Sequence, residues 1–270
     1  MNLCPTIETE GRRLRVIGIY CKTREEWMTT WIASWYLSGC VAPLYDTLGD
    51  DSIEWIVKQT ELQTIVTTTP FIGKLAKLKK AGKLELLKTI ITIEEPTKDE
   101  LELIAQTNVK LLRFSECLEI GKKSSIILKP EVTADNLATI CYTSGTTSMP
   151  KGVMLTHGNF CAITEGIRGL SFFNPKHGNS CISWLPLAHV LEQFVCSLTL
   201  SLGMKTGFYS GDVTKLVDDL GMLNPHLFGS VPRVFNRIYE AINKTTKELT
   251  GFKKYLYNKG VAAKLSLIHI

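Results

Sequence analysis

A chain of 270 residues with 44% hydrophobic and 21% charged residues is long enough for one large or two modest domains with sizeable cores, which excludes a disordered or fibrous protein. Its net charge of +5, from 31 basic against 26 acidic residues, is mild and scattered. The short runs Arg12-Arg13-Leu14-Arg15 and Lys77-Leu78-Lys79-Lys80 lack interleaved aromatics, so nucleic acid is not read as a partner, while a weak attraction to anionic membranes is retained.

The first twenty residues are polar and charged and carry no secretory-leader pattern. Arg15–Tyr20 reads as a strand. Thr23 with Glu26 reads as a capping box opening a helix striped by Trp27, Trp31 and Trp35, one face at i, i+4, i+8, and stopped by Gly39. That segment is expected to be a buried amphipathic helix rather than a membrane span. Val41–Tyr45 is a short buried segment, with Pro43 arguing against a central strand. Helices near Ile53–Val57, 71–81 and 97–106 alternate with strands at 63–68, 87–93 and 109–114, and Gly121–Lys129 reads as a loop. This alternation predicts an α/β fold with parallel-rich sheets flanked by helices. The eight cysteines include no CxxC pair and no zinc spacing, and they read as small buried hydrophobes in a reducing compartment.

Between two apolar runs lies Tyr142-Thr143-Ser144-Gly145-Thr146-Thr147-Ser148-Met149-Pro150-Lys151-Gly152. Hydroxyls, glycines at either end and one ammonium make it a candidate phosphate cradle between buried strands, although composition alone also allows a solvated turn. Beyond it, Thr156 reads as the N-cap of a helix to about Gly169. A strand at 181–185, a turn at Pro186–His189, a helix at 190–202, a strand at 205–209, a helix at 214–223, a strand at 226–230 and a helix from Arg233 to Lys247, with Pro232 at its start, complete the pattern.

The eleven-residue loop resembles the phosphate-binding signature of the adenylate-forming (AMP-binding) superfamily, and it is not a Walker loop. Arg24–Trp27, Val41–Gly49, Leu137–Tyr142, Leu185–Glu192, Gly207–Val213 and Val231–Tyr239 are similar to eukaryotic long-chain acyl-CoA synthetases in particular. The resemblance implies a partial N-terminal domain of the adenylate-forming fold over residues 15–247, between a divergent segment at 1–14 and a divergent tail at 248–270. It also implies that Thr143, Ser144, Gly145, Thr146, Thr147 and Lys151 hold ATP phosphates. Ser148 stands where the family usually has glycine, a departure that costs affinity if the position needs positive φ.

The implied activity is that of a long-chain fatty acid–CoA ligase using ATP, Mg²⁺ and CoA, with an acyl-adenylate and then a thioester as products. His189 matches a histidine near the adenylate and acyl site, against the plainer reading of a structural turn histidine. Glu192 either orients it or is a solvated helix charge. Trp184 lines an acyl pocket or is core, and Arg233 meets a phosphate or is a surface arginine. By the same resemblance, the adenine-binding stretch, the ribose-binding aspartate, the hinge and the adenylation lysine are absent from this chain. It is therefore expected to be a catalytically incomplete fragment, with a non-catalytic nucleotide-binding or interaction fragment as the alternative. Peripheral association with the cytosolic face of endoplasmic reticulum, peroxisome or mitochondrion is implied by family alone.

Overall fold

The computed structural model describes residues 4–9, 12–125, 131–143, 149–170 and 175–266. By chain contacts they fall into two units, residues 1–228 and 229–270.

In the first unit, β1 (Thr6–Thr9) pairs antiparallel with β2 (Arg12–Tyr20), so the sheet begins upstream of the expected strand. Next come α1 (Glu25–Tyr36), β3 (Cys40–Pro43), α2 (Asp50–Gln59), β4 (Thr64–Thr67), α3 (Thr69–Lys80), β5 (Thr89–Thr92), α4 (Lys98–Ala105) and β6 (Lys110–Arg113). α5 (Phe114–Lys122), β7 (Leu137–Thr143), β8 (Lys151–Thr156) and α6 (His157–Arg168) follow. β9 (Ser180–Ser183), α7 (Val190–Ser201), β10 (Lys205–Phe208) and α8 (Leu216–Leu223) end the unit. Along the main sheet the order is β6-β5-β4-β2-β3-β7-β8, parallel from β6 to β7 and antiparallel at β7–β8. β9 and β10 form a separate parallel pair.

Both faces of the main sheet are covered. Ile53 and Ile56 of α2, Ile72 and Leu75 of α3 and Ile104 of α4 pack with Val16, Ala42, Ile65 and Ile90 on one face. Trp27 and Trp31 of α1, Phe160 of α6 and Cys196 of α7 pack with Ile17, Val41, Val66 and Ala138 on the other. Parallel strands buried on both sides have to be apolar throughout, and β3 is buried at every position. The tryptophan stripe behaves as expected: Trp27 and Trp31 are fully buried, and the Trp31 indole N–H donates to the Ala138 carbonyl at 3.1 Å. Gly39 is obligatory for another reason, since a Cβ there would sit 2.8 Å from the Arg15 carbonyl oxygen.

This topology creates crevices. The chain leaves β2 toward the α1 face but leaves β3 and β4 toward the α2–α3 face, so β2 is flanked on both sides by strands whose connections diverge. Ligands of open α/β sheets bind at such switch points, outside the carboxyl ends of the strands.

Several local expectations are corrected. Pro43 lies in a central strand, but it is the last residue of β3, and the β3–β7 pairing involves only Val41 and Thr139, so no ladder bond is lost. Gly121 ends no helix and starts no loop: α5 runs through it to Lys122, its start held by Glu116 at the Arg113 backbone N–H, 2.9 Å. The strand expected at 226–230 is reduced to one bridge, Cys181 to Leu227. In the second unit, α9 (Pro232–Lys247) matches its expected start, whereas α10 (Gly251–Ser266) falls in the stretch read as a divergent tail.

Candidate functional site

The hairpin carrying the hydroxyl-rich loop is closed by the pairing of Thr143 with Lys151. Ser144, Gly145, Thr146, Thr147 and Ser148 lie outside the described residues. Both described flanks of the loop are anchored to α2: the Tyr142 hydroxyl donates to Gln59 Oε1 at 2.8 Å, and the Trp55 indole N–H donates to the Pro150 carbonyl at 3.0 Å. Lys151 itself is exposed, one residue from this anchor. The strands differ from expectation. β7 is buried from Leu137 to Tyr142, but β8 is an exposed edge strand with Val153 and Met154 in solvent. Gly152 has a packing reason to be small: an added Cβ would lie 3.0 Å from Ile140 and 3.1 Å from Tyr142.

The second element is the turn from β9 into α7. His189 is the N-cap of α7, and its Nδ1 accepts the Leu191 backbone N–H at 3.1 Å. Nδ1 is therefore the unprotonated nitrogen, and Nε2 is left to carry the ring's proton outward from an exposed residue. This capping role is the structural half of the expectation, and it fixes the ring for an outward donor.

Glu192 neither orients His189 nor faces solvent. It is 1% exposed, and its Oε1 accepts the Ser183 hydroxyl at 2.6 Å. Burial outweighs that hydrogen bond and one from the Trp184 backbone, raising its carboxyl to about 7. Gln193, fully buried, donates to the Leu187 carbonyl at 2.9 Å, while the Cys141 thiol lies 3.7 Å from its Oε1. Through Gln193 the histidine turn is tied to β7, two residues before Thr143. Nothing marks this glutamine at the level of sequence beyond its place after Glu192.

Thr23 supplies the other tie. Its hydroxyl donates to the Leu185 carbonyl at 2.6 Å and accepts the Leu187 N–H at 2.8 Å. It does not cap α1, whose N-cap is Arg24 without a side-chain bond; the expected box is replaced by a bond from Arg24 Nε to Glu26 at 2.7 Å. Arg24 also pairs with Glu94, which accepts the first N–H of α3 at 3.2 Å.

Two cavities open at the carboxyl edge. One, of about 570 Å³, lies between the ends of β2 and β3 under the turn, with Trp184, Leu187, Ala188, Leu44 and Val213 as apolar wall and Lys22, Tyr45, Asp46, Tyr209 and Asp212 as polar groups. Trp184 is thus both lining and core, buried and stacked on Phe228 at 6.0 Å. His189 follows this lining in sequence. The other cavity, of about 640 Å³, lies between the ends of β2 and β4 and shares Lys22, Thr23, Tyr209 and Gly211.

Burial raises Tyr45 to about 12 and also raises Tyr209, where Asp46 and Asp212 add to it, so both phenols are neutral donors. Cys21 is pushed to about 12 by burial and is no thiolate nucleophile. One ammonium, two carboxylates and two phenols around an apolar wall are groups that can bind and orient an amphiphilic ligand, and no nucleophile–base pair stands among these lining residues. Sequence reading noted the stretches 41–49 and 207–213 without assigning them to a site, because only the sheet brings their ends together. Arg233 lies in the first turn of α9, exposed, in the second unit.

A family model described as AMP-binding enzyme matches residues 10–267. The chain is 38% identical over 250 residues to the peroxisomal long chain acyl-CoA synthetase 6 of Arabidopsis thaliana, covering 92% of this chain and 35% of the relative. It is 34% identical over 258 residues to long-chain-fatty-acid–CoA ligase 5 of Mus musculus, covering 93% and 37%. The chain therefore spans little more than a third of the length of these relatives. Among solved structures, the AMP-bound didomain of a Segniliparus rugosus carboxylic acid reductase matches 85% of this chain and 34% of its own, at TM-score 0.73 and 21% identity. The adenylation domain of a carboxylate reductase from Mycobacterium chelonae matches 87% and 38%, at TM-score 0.75 and 16% identity. These two likenesses concern the fold alone.

Proposed function

The chain belongs to the AMP-binding enzyme family, and on that premise we propose that the whole protein is an ATP-dependent long-chain fatty acid–CoA ligase, to which this chain contributes part of the ATP and acyl sites. The observation that carries the reading is the buried tie through Gln193, which links the hydroxyl-rich hairpin and the His189 turn beside the cavity at the ends of β2 and β3.

In this reaction the fatty carboxylate attacks the α-phosphorus of ATP and pyrophosphate leaves; the CoA thiol then attacks the acyl carbon and AMP leaves. The carboxylate is already nucleophilic, so the protein's task is to position it and neutralise phosphate charge. Lys151, Thr143, Ser144, Gly145, Thr146 and Thr147 are assigned to the phosphates, and the Nε2–H of His189 to a polar contact with the adenylate. Among the described residues no three His, Cys, Asp or Glu side chains converge on a metal-sized space. Mg²⁺ enters this reading through the family alone; it keeps waters and binds largely through phosphate oxygens, and no side chain is assigned to it. Peripheral membrane association on a cytosolic face belongs to the same reading, and two of the relatives are named as peroxisomal.

The second reading is a nucleotide-binding fragment without ligase activity of its own. Both are tested on the 270-residue chain by titration with MgATP and by fatty-acid-dependent exchange of labelled pyrophosphate into ATP. Saturable MgATP binding without exchange is expected. Failure to bind nucleotide would overturn the phosphate assignment, and exchange would overturn the fragment reading.

A further inference from the structure

Between β9 and α7 lies a buried polar cluster that the proposed chemistry does not use. Glu192 of α7 is almost solvent-free, and its Oε1 accepts the Ser183 hydroxyl at 2.6 Å. The Trp184 backbone N–H also donates to this carboxyl. Ser183 ends β9, a strand buried at every position, and Trp184 follows it as part of the apolar wall of the cavity of about 570 Å³. The titratable groups facing the carboxyl are thiols. Cys196, one turn along α7, lies 3.9 Å from Oε1 and 3.6 Å from the Ser183 hydroxyl, and Cys181 of β9 acts on Cys196 in turn. Burial first, and then Glu192, push the Cys196 thiol far up, so it supplies no charge. His189, three residues before Glu192, accepts the Leu191 N–H instead of meeting the carboxyl. Among the described residues no lysine, arginine or histidine side chain pairs with Glu192. The whole cluster lies inside the first unit and is sealed by that unit's own residues.

We propose that Glu192 is a positioning residue for the cavity wall and the His189 turn: its neutral carboxyl keeps Ser183 and Trp184 in place, and loss of its proton releases them. The reason is charge. A buried carboxylate with two hydrogen-bond donors and no opposite charge is poorly solvated, and burial holds this acid neutral up to about pH 7. Above that pH the charged form gains from water, which the closed structure excludes, so ionisation favours opening of the segment bonded to it. That segment runs from Ser183 through Leu185 and Leu187, both clasped by Thr23, to His189 at the start of α7. The consequence for binding rests on the acyl reading of the cavity: a fatty acid meets an ordered wall only in the fraction of molecules whose Glu192 is neutral. That fraction falls from about nine-tenths at about pH 6 to about one-tenth at about pH 8, so apparent affinity falls about tenfold.

The experiment labels the 270-residue chain with 5-fluorotryptophan and follows the Trp184 fluorine resonance across neutral pH, assigned by its loss in Trp184→Phe. The difference between its shifts in H₂O and D₂O reads contact of the ring with water. Expected is a rise in that contact with a midpoint near pH 7, while Trp55 on α2 does not change. Glu192→Gln is expected to show no rise. Ser183→Ala removes a hydrogen bond that favours the charged carboxyl and is expected to move the midpoint upward, which a merely structural role would not do. In parallel, a fluorescent long-chain fatty acid is titrated into both proteins at about pH 6 and about pH 8. A loss of about tenfold is expected in the native chain, and in Glu192→Gln only the part that comes from the ligand's own ionisation. No rise in the native chain, an equal rise in Glu192→Gln, or an unmoved midpoint in Ser183→Ala would overturn the proposal. A chain that binds no fatty acid at either pH would overturn the acyl reading of the cavity alone, because the Trp184 resonance needs no ligand.

Discussion

The turn before α7 and the loop between β7 and β8 both belong to the candidate site, but they are held in opposite ways. The turn is locked from inside: Thr23, Glu192 and Gln193, all nearly solvent-free, spend their polar groups on the Ser183–Leu187 segment. At the described flanks of the loop the ties are to α2, through Tyr142 and Trp55, and Lys151 is exposed. Buried polar groups are costly unless satisfied, so a segment built on them tolerates little substitution. A segment whose cation is exposed is expected to tolerate substitution in stability and to show it in binding. Position and reactivity are thus assigned to different parts of one site.

The largest test of this contrast is the pH response of Glu192. Its folded-state carboxyl, raised to about 7 from an ordinary 4.5, holds a proton that the unfolded chain has released. That proton stabilises the fold fully below about pH 4.5, and the stabilisation is lost as pH rises toward 7 and above, about 3 kcal/mol in all. Glu192→Gln, which keeps the shape without titrating, is expected to remove this decline in urea melts across that range; a parallel decline in the variant would show that the carboxyl is not its source. Next is Thr23→Val, which leaves the Leu185 carbonyl and Leu187 N–H unpaired in the interior and is expected to cost about 2 kcal/mol. A loss no larger than that of a surface variant would break the claim that the turn is pinned from inside.

Lys151→Ala tests the other side. MgATP affinity is expected to fall about tenfold, with stability changed by no more than about 0.5 kcal/mol. Unaltered affinity would remove the lysine from the phosphate site. The smallest effect is expected of Trp55→Phe, which loses one partly solvated hydrogen bond to Pro150: about 0.5–1 kcal/mol by denaturant melt, with MgATP affinity reduced less than by Lys151→Ala. A larger loss of affinity than from the lysine variant would make anchorage, and not charge, the main contribution of this loop.

Much of the fold is legible in local pattern. Thr156 caps α6 through a reciprocal bond pair with Asn159, and Thr97 caps α4 with Glu100, because those contacts close within four residues. The tryptophan stripe of α1 and the β-branched strands also declare themselves by period. Thr23 misleads for the complementary reason. Its spacing to Glu26 is that of a capping box, yet its hydroxyl finds partners 162 and 164 residues away. α5 was missed because Gly121 sits near its end, and α10 because Gly251, Gly260 and scattered lysines blur its period. In the site, the hydroxyl-rich loop and His189 stand out by residue type. Gln193, Lys22, Tyr45 and Tyr209 do not, since nothing in their neighbourhoods distinguishes them from surface or core residues.

Sequence by itself determined the α/β class and the family and marked Thr143–Lys151 as a candidate phosphate cradle, because periodicity, caps and a run of hydroxyls with one lysine are properties of neighbouring residues. Tertiary structure alone decided that Glu192 is a buried acid, that Thr23 is a clasp and that β2 is flanked by crevices. Each of these depends on which distant strand ends adjoin, and strand order is set by the packing of both sheet faces and not by any stretch of sequence.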